Sequence, residues 1–221
     1  MYPGGISFGP SLRKDMNDIF ISSLGLLFLL AGCHGGASDS VKKARDSNAA
    51  RIDSQTAMGH LSDTAKLSKS DADFLVDASS RAMKEMELGQ VAQTHSSSQR
   101  VKSFGAMMVK SRKEGIEEIK NLAVRKHVTL PDSVSSRQER EINKLKKKEG
   151  GDFDKAYIKM TVNDHKADIK EFEKQASDGS DSITRVFASL RLQMLHRGLD
   201  SANSLMNMLG LNYVRGEPIP H

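Results

Sequence analysis

The chain has 221 residues, with 33 Lys and Arg against 28 Asp and Glu, a formal charge of +5, one Cys, no Trp and five Pro. A single cysteine excludes an intrachain disulfide framework, and it excludes zinc ribbons and iron–sulfur cages built from several thiolates. Aromatic residues make up 5% of the chain, too few for a large β-sandwich or a base-stacking platform. The prolines stand at positions 3, 10, 131, 218 and 220. The stretches Ser11 to Leu130 and Asp132 to Glu217 are therefore free of helix-breaking proline, and long helices are expected.

Arg13 and Lys14 precede an apolar run from Ile19 to Ala31, interrupted only by Ser22, Ser23 and Gly25. About a dozen residues is short for a bilayer-spanning helix and has the proportions of a signal-peptide h-region. The run ends in Leu30-Ala31-Gly32-Cys33, which resembles the lipobox of bacterial lipoproteins. The resemblance implies cleavage before Cys33 and a diacylglyceryl thioether on its sulfur, with residues 1–32 as the leader. Met16 offers an alternative start. His34, rather than Asp, follows the cysteine. In the sorting pattern this resembles, that choice directs the protein to the periplasmic face of the outer membrane. The membrane is then a partner through the lipid anchor. Arg13 and Lys14 cancel Asp15 and Asp18, so the charge of +5 survives processing. Lys144, Lys146, Lys147 and Lys148 form the densest basic cluster. It reads as a solvated helix face with weak attraction to anionic headgroups; nucleic acid is not expected as a partner.

From Cys33 to Lys69 the chain is rich in Gly, Ser, Ala, Asp and Lys. Residues 33–69 read as a flexible tether with a reach of about 100 Å. The folded domain is expected over 70–210, with Ser70 and Asp73 as a capping pair, and residues 211–221 as a loose tail. Four long helices are predicted: Asp71 to Thr94, Gln99 to Lys126, Phe153 to Ala176 capped by Asp152, and Ser182 to Leu209. A short helix from Ser136 to Lys148, opened by Ser135 and Gln138, sits between the second and third. On the third long helix Ile158, Val162, His165, Ile169, Phe172 and Ala176 recur at spacings of 4, 3, 4, 3 and 4. Leu192, Leu195, Leu199, Ala202, Met206 and Leu209 keep a similar rhythm on the fourth. These stripes are the seams of an all-α, four-helix bundle. The segments 104–123 and 157–176 match at six positions with an offset of 53, Met107/Met160 and Ile116/Ile169 among them. A true repeat would imply two helical hairpins related by pseudo-two-fold symmetry.

An ordered set of short motifs runs through the domain. Glu87-Leu88-Gly89 is followed by Val101-Lys102-x-Phe104 with Met108-Val109, then Leu130-Pro131, Phe153-Asp154-x-x-Tyr157, Asp164-His165 and His196. In this order they resemble the bacterial domain-of-unknown-function family 4142, over about Asp71 to Leu205. The resemblance implies a ferritin-like bundle in an exported or lipid-anchored protein, with no settled activity. It also implies a metal-like set of one Glu and three His, of which Glu87, His165 and His196 are present here. Ser111-Arg112 stands where the family has Asp-His. A guanidinium cannot ligate a metal. Val162 and Gln193 stand three residues before His165 and His196, so the Glu-x-x-His motifs of a di-iron bundle are missing.

Two readings follow. In the favoured one no metal or other cofactor binds, His165 is a hydrogen-bonded core residue, and Glu87 and Arg112 form an ion pair across the first two helices. The protein is then a non-enzymatic interaction or structural module of the cell envelope, with an unidentified envelope partner. In the alternative, Glu87, His165 and His196 hold a mononuclear metal in a divergent metal-binding or redox bundle. No Gly-x-Ser-x-Gly elbow, phosphate loop or His-Glu-x-x-His motif points to a reaction class.

Overall fold

A computed structural model describes residues 39–58 and 67–211, all within the unit formed by residues 36–221. The leader, Cys33 and residues 212–221 lie outside the described residues. Those described form six helices and no strand: α1 Ser40–Ala57, α2 Lys69–His95, α3 Gln99–Lys126, α4 Ser136–Leu145, α5 Gly150–Asp178 and α6 Ser182–Met208. The expected all-α class is what the structure has. The capping box of α4 on Ser135 and Gln138 is as expected, whereas that of α2 lies two residues earlier than Ser70/Asp73, on Ser68 and Asp71. Asp152 falls in the first turn of α5 rather than at its N-cap, which is Glu149.

The largest departure is α1. It falls inside residues 33–69, read from sequence as a tether. Its apolar face is slight, with Val41, Ala44 and Ile52 buried, which is why composition argued for disorder. Polar contacts complete the docking. The Asn48 amide donates to Thr129 O at 2.9 Å, and its oxygen accepts from Thr129 N at 2.8 Å. Asp39 caps α1 through Val41 N at 3.0 Å and also accepts from Ser136 N at 3.1 Å. Arg45 pairs with Asp77 on α2. These partners lie 32 to 97 residues away in sequence, so no local pattern announces them. Asn48→Ala is expected to weaken the docking by about 1–3 kcal/mol, the loss of two hydrogen bonds to the Thr129 backbone at about 0.5–1.5 kcal/mol each. Amide exchange should rise in α1 while α2–α6 keep their protection.

Residues 96–98 join α2 to α3, and residues 179–181 join α5 to α6, so each pair is an antiparallel hairpin. α2 packs against α5 and α3 against α6, α4 lies on α2 and α5, and α1 lies on α2. The α2–α3 contact is closest at Gly89 and Gly105. A Cβ on either would stand 2.7 Å from the other's carbonyl oxygen, so a side chain at either position would force the helices apart.

Two carboxylates latch the hairpins reciprocally. Asp71, at the start of α2 and 0% exposed, accepts from Gln175 Nε2 at 2.7 Å and from Ser180 N and Asp181 N at 3.1 Å in the α5–α6 turn. Asp154, near the start of α5, accepts from Ser96 Oγ and, at 2.9 Å, from Ser97 Oγ in the α2–α3 turn. Inside, the apolar residues fall into two clusters. One gathers Leu75, Ile119, Phe172 and Leu195; the other gathers Leu88, Phe104, Phe153, Tyr157 and Val162. Phe74 and Phe172 meet edge-to-face at 4.9 Å in the first, and Phe153 stacks on Tyr157 at 5.6 Å in the second.

The offset of 53 pairs α3 with α5, the second helix of one hairpin with the first of the other. It is therefore not a duplication of hairpins. α3 and α5 meet through side chains at the repeat-equivalent positions Arg112 and His165.

Candidate functional site: a buried charge layer

Between the two apolar clusters lies a layer of charge. α2 supplies Arg81, Lys84 and Glu85, α3 supplies Arg112, and α5 supplies Asp164, His165 and Asp168. Glu85, Arg112, His165 and Asp168 are all buried. Asp71, Leu75, Ala78, Ala82, Glu85, Gly89 and Ala92 are buried at spacings of 4, 3, 4, 3, 4 and 3. This seam carries Glu85 into the core and leaves Glu87 off it.

The expected Glu87–Arg112 pair is therefore corrected. Arg112 pairs through Nε with Glu85, and Glu87 pairs with Lys146 at 2.7 Å near the surface. Arg112 also reaches across the core, with Nη2 at 3.0 Å from His165 Nε2. A guanidinium only donates, so Nε2 is the acceptor and the imidazole proton sits on Nδ1. Nδ1 faces Thr161 O at 3.0 Å and Glu85 Oε1 at 3.4 Å. Around this centre Arg81 holds Asp168 at 2.8 Å, and Lys84 holds Asp164 at 3.0 Å and Glu141 at 2.7 Å. On the α6 side Gly198 makes room for the ring: a Cβ there would stand 2.5 Å from His165 Nε2.

Electrostatics follow from burial. Desolvation, and next the Arg112 cation, push His165 down to about 4, so it is neutral at pH 7. Desolvation, and next the charge of Glu85, push Asp168 up to about 7. Burial raises Glu85 as well, against the pull of Arg112. His165 and Asp168 act oppositely on stability. Between about pH 4 and 6.5 the unfolded state takes a proton at His165 that the folded state refuses, so this contribution falls with falling pH. Asp168 holds a proton when folded that the unfolded carboxylate releases above its ordinary pKa, so its contribution rises with falling pH. From pH 6.5 to 4.5, His165→Gln should therefore gain stability relative to wild type. Asp168→Asn should lose it over the same window. Each slope approaches about 1.4 kcal/mol per pH unit for one proton, and urea titrations across the window measure both.

The residues carried over from the family do not assemble a metal site. Glu87 is held by Lys146, His196 is exposed on α6, and the acceptor nitrogen of His165 is taken by Arg112. Among the described residues no group of three or more His, Cys, Asp or Glu side chains is arranged to hold a metal ion. Beside the layer is a cavity of about 20 Å³, bounded by Glu85, Arg112, Asp168, Phe172 and Arg191. That is room for about one water. Arg191 lies over Gly115 and pairs with Glu118 at 3.2 Å.

Fold and site together define an all-helical domain whose core is divided by a self-paired charge layer. The chain belongs to the family described as Domain of unknown function (DUF4142), whose model matches residues 56–205. α1 lies almost wholly before the matched region. Searches of curated proteins and of solved structures return no match. No described helix is long and apolar enough to cross a membrane.

Proposed function

We propose that this is a lipid-anchored cell-envelope protein, acylated on Cys33 at the periplasmic face of the outer membrane. Its four long helices form a ferritin-like bundle that acts as a non-enzymatic interaction or structural module. The observation that carries the reading is the contact of Arg112 Nη2 with His165 Nε2 at 3.0 Å. A permanent cation takes the lone pair that a metal would need. The cavity of about 20 Å³ beside it leaves no room for a substrate, far below the ~300 Å³ of ordinary ligand sites. The lipobox-like run ending in Cys33 supports the anchor.

The test has two arms. Mass spectrometry of the N-terminal peptide should show Cys33 as the first residue, carrying a diacylglyceryl thioether, and the protein should fractionate with outer membrane. Cys33→Ser should remain unprocessed and unlipidated. Metal analysis of untagged protein should find substoichiometric metal. Stoichiometric metal that EDTA removes and His165→Ala abolishes overturns the non-metal reading. An unmodified Cys33 overturns the anchor.

A further inference from the structure

A groove of about 390 Å³ lies between α4 and α5, within the range of small-molecule sites. Matching faces of two helices form it. Glu141, Lys144 and Leu145 come from α4, with Lys148 just beyond its end; Ala156, Lys159, Met160 and Asp164 come from α5. The spacings of three and four residues put each set on one helical face. The floor is apolar, with Leu145 buried and Ala156 and Met160 half-buried.

The charges do not balance. Lys84 reaches the groove from α2 and pairs with Glu141 and Asp164, and Arg137 adds a second cation to Glu141 at 3.1 Å. The two acids are thus compensated by two cations. Lys144, Lys148 and Lys159 make no ion pair or side-chain hydrogen bond among the described residues. Lys146, from the same basic run, is turned away to Glu87. Three uncompensated ammonium groups therefore rim an apolar floor. A small inorganic anion would leave the floor wet, and an uncharged apolar ligand would leave the ammonium groups without a partner.

We propose that the α4–α5 groove binds an amphiphile with an anionic head, its carboxylate or phosphate held among Lys144, Lys148 and Lys159. Its apolar chain runs along Ala156 and Met160, with the buried Leu145 beneath them. The head belongs either to a free fatty-acid-like molecule or to a lipid still in a bilayer, and the chemistry is shared.

The chain from residue 34 onward, which keeps every described residue but lacks the leader and Cys33, separates this test from the anchor. Calorimetric titration with dodecanoate, below its micelle concentration, should show one site. Dodecyl maltoside, with a comparable chain and a neutral head, should bind at least 30-fold more weakly. Inorganic phosphate should show no binding over the same range. Lys144→Glu/Lys148→Glu/Lys159→Glu should weaken dodecanoate at least 30-fold with an unchanged melting temperature, because these side chains lie at the rim. Met160→Asp should weaken it at least tenfold, with circular dichroism as the check on folding. Co-flotation with phosphatidylglycerol vesicles, lost in the triple variant, supports a bilayer lipid as the source. Dodecanoate binding without flotation supports a free amphiphile. Equal affinity for the neutral amphiphile, phosphate binding as tight as dodecanoate, or a triple variant that binds like wild type overturns the proposal.

Discussion

Arg112→Met is expected to destabilise the domain by about 3–5 kcal/mol, because it leaves Glu85 charged, buried and without its cation. Glu85 and Arg112 are each about 5–6% exposed, so water cannot replace the lost partner. The same change removes the donor to His165 Nε2 and a cation near Asp168, whose carboxyl is already raised by burial and by Glu85. Protonation of the stranded acids then becomes the cheapest relief, and the variant should regain stability as pH falls from 7 to 5. The double variant Glu85→Leu/Arg112→Met removes both charges together. It should recover most of the loss, since a buried ion pair replaced by apolar groups of similar size is commonly neutral or stabilising. Urea denaturation of wild type, single and double variants measures the effect. A single variant within about 1 kcal/mol of wild type would show that the pair is not held out of water.

Asp71→Ala should cost about 3–5 kcal/mol, the sum of more than one orphaned buried donor at about 1–3 kcal/mol each. Its carboxylate accepts from Ser68 N at 3.0 Å and Ser68 Oγ at 2.7 Å on its own helix. It also accepts from Gln175 Nε2, Ser180 N and Asp181 N on the other hairpin. Losing it uncaps α2 and frees the α5–α6 turn at the same time. Amide exchange should accelerate first at Ser180 and Asp181, before the middle of α5. Asp71→Asn should recover only part of the loss, because its amide offers two hydrogens to sites that need acceptors.

The long helices were legible because their seams are regular. Gln99–Lys126 agrees at both ends with the sequence expectation, and the other long helices agree within a few residues. His165 was legible too, since it sits between Val162 and Ile169 on a clear stripe, and its neighbours there are buried. Glu85 was missed because motif resemblance drew attention to Glu87. The signal that would have found it was the 4, 3, 4, 3 rhythm of α2 itself, which carries Asp71 and Glu85 among small apolar residues. Asp168 was missed for a related reason: it stands at the edge of the α5 stripe, three residues from His165 and four from Phe172. The pairing of Arg81 with Asp168 joins helices 87 residues apart, and only the fold brings them together. α1 was illegible because its docking depends on Asn48 meeting Thr129 in the loop after α3 and on Asp39 meeting Ser136 at the start of α4.

If Cys33 is acylated as proposed, that docking sets how far the domain travels from the bilayer. Only six residues, 34–39, separate Cys33 from Ser40, the first residue of α1. Fully extended, such a link spans roughly 20–25 Å, a quarter of the reach expected when the whole segment was read as tether. With Cys33 acylated as proposed, α1 is a reel with a catch: while Asn48 grips Thr129 the leash stays short and the domain meets what lies at the bilayer surface. Undocking of α1 would add its eighteen residues, about 27 Å if they stay helical, to that reach.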